Sequence, residues 1–176
     1  MKICDTVNSK LYKNDRAILH SDCNCFYASV ECLLNPNIRD LPVAVSGDAE
    51  NRHGIILAKN EEAKKYNIKT GEAIWQAKKK CPQLLTVPAR LDVYKKFSDK
   101  VRRIYSDYTD MVEPFGLDEA WLDISEDYKN DALTIAKEIS QRVKDEIGIT
   151  VSIGVSFNKI FAKFGSDYKK PDAITC

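Results

Sequence analysis

Apolar positions along the chain fall into two kinds of run: short near-continuous stretches, and longer stretches spaced by three and four. The segment Ala17-Ile18-Leu19-His20-Ser21-Asp22 predicts a strand, and 26–34 a helix stopped by Asn35-Pro36. Pro42-Val43-Ala44-Val45-Ser46 predicts a second strand, Gly47-Asp48 opens a polar loop, and 55–58 predicts a third strand. Helices are expected around 60–66 and over 72–81, the latter ended by Pro82. Tyr94, Phe97, Val101, Ile104, Tyr105 and Tyr108 share one helical face. An aromatic stripe of this kind packs a core more often than it stacks bases. Residues 111–117 and 120–124 predict paired strands about a tight turn at Leu117-Asp118-Glu119. Ala132, Ile135, Ala136, Ile139, Val143 and Ile147 mark a second amphipathic helix, 150–156 the last core strand and 158–168 a closing helix.

With residues 26–90 set aside, this order is β-α-β-β-α-β, the ferredoxin-like split unit. The expected class is therefore α+β, with a small α/β lobe inserted after the first strand. The topology has a chemical consequence. A right-handed crossover makes the first two strands run the same way, which puts the hairpin turn at the edge where strand one ends. In the common order of this unit strands one and three are neighbours, so Asp22 is expected beside Asp118 and Glu119. Three carboxylates at one edge repel one another unless cations sit among them. Oxygen ligands without His or Cys suit Mg²⁺ or Mn²⁺, and two such ions about 3.5–4 Å apart can activate a hydroxyl and steady a leaving pyrophosphate. Spacing alone leaves a solvent-facing hairpin turn as an equal reading of Asp118-Glu119.

Composition narrows the class further. At 176 residues the chain fits one domain, or one domain carrying a smaller lobe, and can bury roughly 70% of its unfolded surface. With 44% hydrophobic and 30% charged residues it is neither low-complexity nor disordered. No apolar run approaches the ~20 residues of a membrane span, and Met1-Lys2-Ile3-Cys4-Asp5-Thr6 opens no signal sequence. A soluble cytoplasmic protein without membrane partners is expected. The six cysteines form no CxxC pair and have no His at zinc-ligand offsets, which argues against a metal knuckle; Cys23-Asn24-Cys25 predicts two thiols packed on one strand face. The net charge of +1 conceals a division: residues 59–103 carry +8 and residues 104–146 carry −8. A basic middle beside an acidic segment suits a protein that attracts polyphosphate and concentrates carboxylates, although solvated helix faces give the same pattern.

Three segments also carry a resemblance. Ser21-Asp22-Cys23-Asn24-Cys25-Phe26-Tyr27-Ala28-Ser29-Val30-Glu31 is similar to the opening motif of Y-family translesion DNA polymerases. Pro114-Phe115-Gly116-Leu117-Asp118-Glu119-Ala120-Trp121-Leu122-Asp123 resembles their second motif. Residues 152–163, followed by Lys169-Lys170-Pro171-Asp172, resemble the third. The resemblance runs from about Arg16 to the C-terminus.

It implies a palm over 16–25 and 91–176 and fingers over 26–90, behind an N-terminal arm of 1–15. A thumb and little finger would lie outside the chain. It also implies a DNA-directed DNA polymerase, a nucleotidyltransferase of translesion synthesis and DNA repair, acting on primer-template DNA and dNTP with Mg²⁺ or Mn²⁺. A sliding clamp would be reached through C-terminal regions not in this chain, which alone would be inactive or very weak.

Asp22 and Asp118 match the metal ligands, the Cys23 carbonyl completes the set, and Glu119 matches the glutamate beside the primer 3′-hydroxyl. Tyr27 matches the steric gate against a ribose 2′-hydroxyl. The amides of Cys25 and Phe26 would face the triphosphate, and Lys170 matches a basic triphosphate contact. Where the family presents Thr, Tyr and Arg to the triphosphate, this chain has Ala58, Glu61 and Lys64, which keeps only the cation. On a helix Glu61 can pair with Lys64 or Lys65 and turn away. A non-catalytic relative that binds DNA or a replication partner is the alternative, and a nucleotide cyclase on the same topology leaves Tyr27 and the inserted lobe unexplained.

Overall fold

The computed structural model describes residues 16–47, 54–126 and 131–176. The expected N-terminal arm lies outside the described residues, as does most of the polar loop after Gly47. The chain divides into two compact units, one of residues up to Asn24 together with Lys95–Cys176, the other Cys25–Tyr94.

The first unit is built on a five-stranded sheet. Its strands are β1 (Ile18–Cys23), β5 (Val112–Phe115), β6 (Glu119–Asp123), β7 (Val151–Ser156) and β8 (Ile174–Thr175). Their order is β5-β6-β1-β7-β8, with β1 antiparallel to both neighbours. This is the ferredoxin-like order expected from the sequence, extended by β8, a two-residue strand parallel to β7 that the sequence did not suggest. β1 is buried along its whole length, as a central strand covered on both faces should be.

Helix α4 (Leu91–Ser106) enters this unit at Lys95, and its stripe behaves as core: Val101, Ile104 and Tyr105 are buried. Helix α5 (Ala132–Arg142) continues as a wider turn over Val143–Ile147 and buries Ile135, Ile139, Val143 and Ile147. Helix α6 (Lys159–Tyr168) is capped by Asn158, whose side chain accepts from Phe161 N at 2.9 Å. Where α6 crosses β7 there is no room for a side chain. A Cβ on Gly154 would lie 1.8 Å from the Ala162 carbonyl oxygen and 2.5 Å from Ser166 N. Gly154 therefore sets how closely α6 approaches the sheet.

The second unit holds a three-stranded sheet of β2 (Val43–Ser46), β3 (Ile56–Lys59) and β4 (Leu85–Pro88) in the order β3-β2-β4. β2 and β4 pair in parallel, and β4 was not expected. Helices α1 (Phe26–Leu34), α2 (Glu61–Lys64) and α3 (Ile74–Lys80) accompany it. Ala44, Ile56, Ala63, Ile68, Ala77, Cys81 and Leu84 form its core. α2 is shorter than predicted, a single turn started by Asn60. The Asn60 carboxamide accepts from Ala63 N and Val43 N and donates to the Leu41 carbonyl, binding turn to strand.

Candidate active site

β1 and β6 set the site in the first unit. Their antiparallel register pairs Asp22 with Glu119, and Cys23 N donates to the Asp118 carbonyl at 2.9 Å just beyond the last pair. Glu119 is thus the first residue of β6, and the turn itself is Gly116-Leu117-Asp118, with Gly116 at φ 71° taking the left-handed conformation. The three acids stand at one sheet edge.

Two lysines meet this edge. Lys170 Nζ lies 2.5 Å from Asp22 Oδ2 and 2.8 Å from Asp167 Oδ1. Lys163 Nζ, from α6, lies 2.5 Å from Glu119 Oε2. The sequence drew attention to Lys170 but gave Lys163 no role, nor His20 or Ser166. The His20 ring is fully buried in β1. Its Nδ1 sits 2.8 Å from Ser166 Oγ, which itself donates to the Lys163 carbonyl at 2.8 Å. Nε2 faces Glu119 Oε2 at 3.2 Å. Burial and the nearby Lys163 ammonium lower the His20 pKa to about 4, so it is neutral near pH 7.

The carboxylates are perturbed in the opposite direction. Burial pushes Asp22 up to about 6 against the pull of Lys170, with Glu119 and Asp118 adding repulsion. Burial also raises Asp118, helped by the Glu119 charge. Cys23 is wholly buried and its thiol is pushed far up, first by burial and then by Asp118 and Asp22. Only its backbone can serve a ligand.

Asp22, Asp118 and Glu119 offer hard oxygen donors alone, and ammonium groups already stand as cations against two of them. The chemistry of that donor set fits a divalent ion such as Mg²⁺. Among the described residues no three His, Cys, Asp or Glu side chains converge closely enough to hold an ion as they lie. Lys170 and Lys163 hold Asp22 and Glu119.

In the second unit, Cys25 corrects one expectation. It does not continue the strand face of Cys23 but caps α1 in the left-handed conformation, at φ 51°. Its half-buried thiol donates to Glu61 Oε1 at 3.1 Å, and burial followed by the Glu61 bond raises its pKa. Glu61 turns to Lys64, 2.7 Å away, while Lys65 is taken by Glu62. Partial burial opposes it, yet bonds from Lys64 and Cys25 hold the Glu61 carboxyl below its ordinary value.

Phe26 opens α1, and the amides of its first turn have no partner within the helix. Tyr27 follows, its ring stacked on Tyr94 with centroids 4.4 Å apart and planes 13° from parallel. Tyr94 is itself fixed: its hydroxyl donates to buried Glu31 at 2.7 Å, and Arg90 Nε donates to the same carboxylate at 3.0 Å. Glu31 and Arg90 escaped the sequence reading. A Glu on the apolar face of a predicted helix, one turn after Tyr27, was the available signal.

Residues 21–167 match the impB/mucB/samB family model. The chain is 61% identical over 162 residues to DNA polymerase IV of Acetivibrio thermocellus, covering 91% of this chain and 41% of that protein. It is 45% identical over 163 residues to DNA polymerase IV of Bacteroides fragilis, covering 92% and 44%. Among solved structures, DinB from Sulfolobus solfataricus superposes with a TM-score of 0.86 at 31% identity, covering 90% of this chain and 47% of that one. An insertion ternary complex of Dbh DNA polymerase gives 0.86 at 30% identity, covering 90% and 48%. The chain spans less than half the length of these relatives.

Proposed function

The chain belongs to the impB/mucB/samB family, and from that membership we propose that it carries the catalytic acids of a template-directed, lesion-bypass DNA polymerase. The supporting observation is the register that sets Asp22 opposite Glu119 with Asp118 bonded to Cys23 N at the same edge. Three acids set at one sheet edge, two of them raised by their own burial, have no evident use in a scaffold.

On this reading the first unit is the palm. Asp22, Asp118 and the Cys23 carbonyl would hold Mg²⁺, with Glu119 serving the ion beside the primer 3′-hydroxyl. Divalent ions, if held there, would favour the ionised hydroxyl and stabilise charge on the departing pyrophosphate. Lys170, held by Asp22 and Asp167, is a cation that would suit a triphosphate oxygen. The second unit is the fingers. The Cys25 and Phe26 amides and the Lys64 ammonium would bind phosphate oxygens. Tyr27, braced on Tyr94, would occupy the volume of a ribose 2′-hydroxyl and so favour dNTP. The pairing of Glu61 with Lys64 and Cys25 keeps its charge partly neutralised, so the departure from Thr-Tyr-Arg need not abolish phosphate binding.

Primer-template DNA is the substrate partner of this proposal, in the cytoplasm, with a sliding clamp reached through segments outside this chain. Primer extension with Mg²⁺ and each deoxynucleotide separately, by the longer protein that contains this chain, tests it. Templated addition that is lost in Asp118→Ala is the expected result. No extension with the acids intact would favour a DNA-binding relative without activity.

A further inference from the structure

Helix α3 presents an outward face that the polymerase reading does not use. Ile74 and Ala77 pack against the core of the second unit, while Trp75, Lys78 and Lys79, at i, i+3 and i+4, are exposed. Trp75 is 56% exposed, and Lys79 Nζ sits 4.9 Å from its ring centroid. The helix is firmly placed: Ile74 N donates to the Gly54 carbonyl at 3.0 Å and the Gln76 side chain accepts from Ala73 N at 3.3 Å. An indole this exposed on a fixed helix is not explained by packing.

The charges around it are also uneven. Residues 59–80 contain seven lysines and three glutamates. Each glutamate is taken: Glu61 by Lys64, Glu62 by Lys65 and Glu72 by Lys80. Among the described residues no carboxylate lies within ion-pair distance of Lys78 or Lys79. An exposed flat ring with Lys79 against it, on a helix that also exposes Lys78, suits a flexible polyanion that carries its own flat rings. A stacked base would use the ring and its neighbouring phosphates the lysines.

We propose that the Trp75, Lys78 and Lys79 face of α3 is a stacking platform for single-stranded DNA. Bases in a duplex have no free face to offer the indole, so the platform should discriminate against duplex. An acidic protein surface could satisfy the lysines but would leave the ring in water. The proposal does not depend on the acid cluster and needs neither metal nor nucleotide.

The test is titration of this chain with a fluorescent thymidine octanucleotide, without divalent ions. Saturable binding should quench tryptophan emission, and Trp75→Ala should lose that quench and weaken binding about 5- to 150-fold, the range for one stacked base. Trp75→Phe, which keeps a ring, should retain much of the affinity. Lys78→Gln and Lys79→Gln should each flatten the salt dependence by about 0.7 in log–log slope. Unchanged affinity in Trp75→Ala would overturn the proposal. So would equal binding of a self-complementary duplex, or displacement of the oligonucleotide by polyglutamate of matched charge as readily as by unlabelled strand. None of these results would touch the polymerase reading, which primer extension tests separately.

Discussion

Asp22→Asn should make the metal-free protein more stable while removing one of its proposed metal ligands. Asp22 is buried, and burial raises its pKa to about 6 from the ordinary 3.8. That difference corresponds to about 3 kcal/mol of cost for carrying the charge in the folded state. The folded state binds the proton more tightly than the unfolded one. The resulting contribution to stability is full below pH 3.8 and is lost as pH rises through 6. Asparagine has the same shape and does not titrate. Lys170, deprived of Asp22, keeps Asp167 at 2.8 Å and is not left unpaired. Urea unfolding without divalent ions should therefore show little difference between wild type and Asp22→Asn near pH 4. The variant should gain about 1–3 kcal/mol at pH 7.5. A variant less stable than wild type at pH 7.5 would refute the reasoning, since the Lys170 pair would then outweigh the burial of the charge.

Gly154→Ala should fail to fold or lose more than about 3 kcal/mol by thermal melting, because its Cβ would meet the Ala162 carbonyl and Ser166 N, both backbone atoms. Tyr94→Phe should cost about 1–2 kcal/mol in urea unfolding, since buried Glu31 loses a donor while Arg90 remains. Tyr27→Ala in the longer protein should raise ribonucleotide over deoxynucleotide incorporation by tenfold or more in single-nucleotide extension; an unchanged ratio would show that the Tyr27 ring does not meet the sugar.

The placement of Asp22, Asp118 and Glu119 at one sheet edge was legible because it follows from strand order alone. Once β1 and β6 are neighbours, the end of one and the turn before the other share an edge. The helical stripe of α4 was legible for a similar reason, since periodicity fixes a face without tertiary information. β4 and β8 were not, because a strand of four residues or two leaves no periodic trace and parallel pairing joins segments far apart in the chain. Cys25 looked like strand because alternation continues through it, whereas its left-handed backbone is imposed by the start of α1. Lys163, His20 and Ser166 were invisible as a group. They meet through the closeness of α6 to β7, and that closeness rests on Gly154, whose role depends on what packs above it.

Calorimetric titration of the folded chain with Mn²⁺, in the presence of a deoxynucleoside triphosphate and at pH 7.5, addresses the acid cluster most directly. Wild type should bind the ion, and Asp118→Ala, whose side chain stands in the hairpin turn outside the core, should lose that heat while keeping its circular dichroism. Metal-dependent binding that persists unchanged in folded Asp118→Ala and Asp22→Asn would contradict the assignment of this sheet edge as the metal centre.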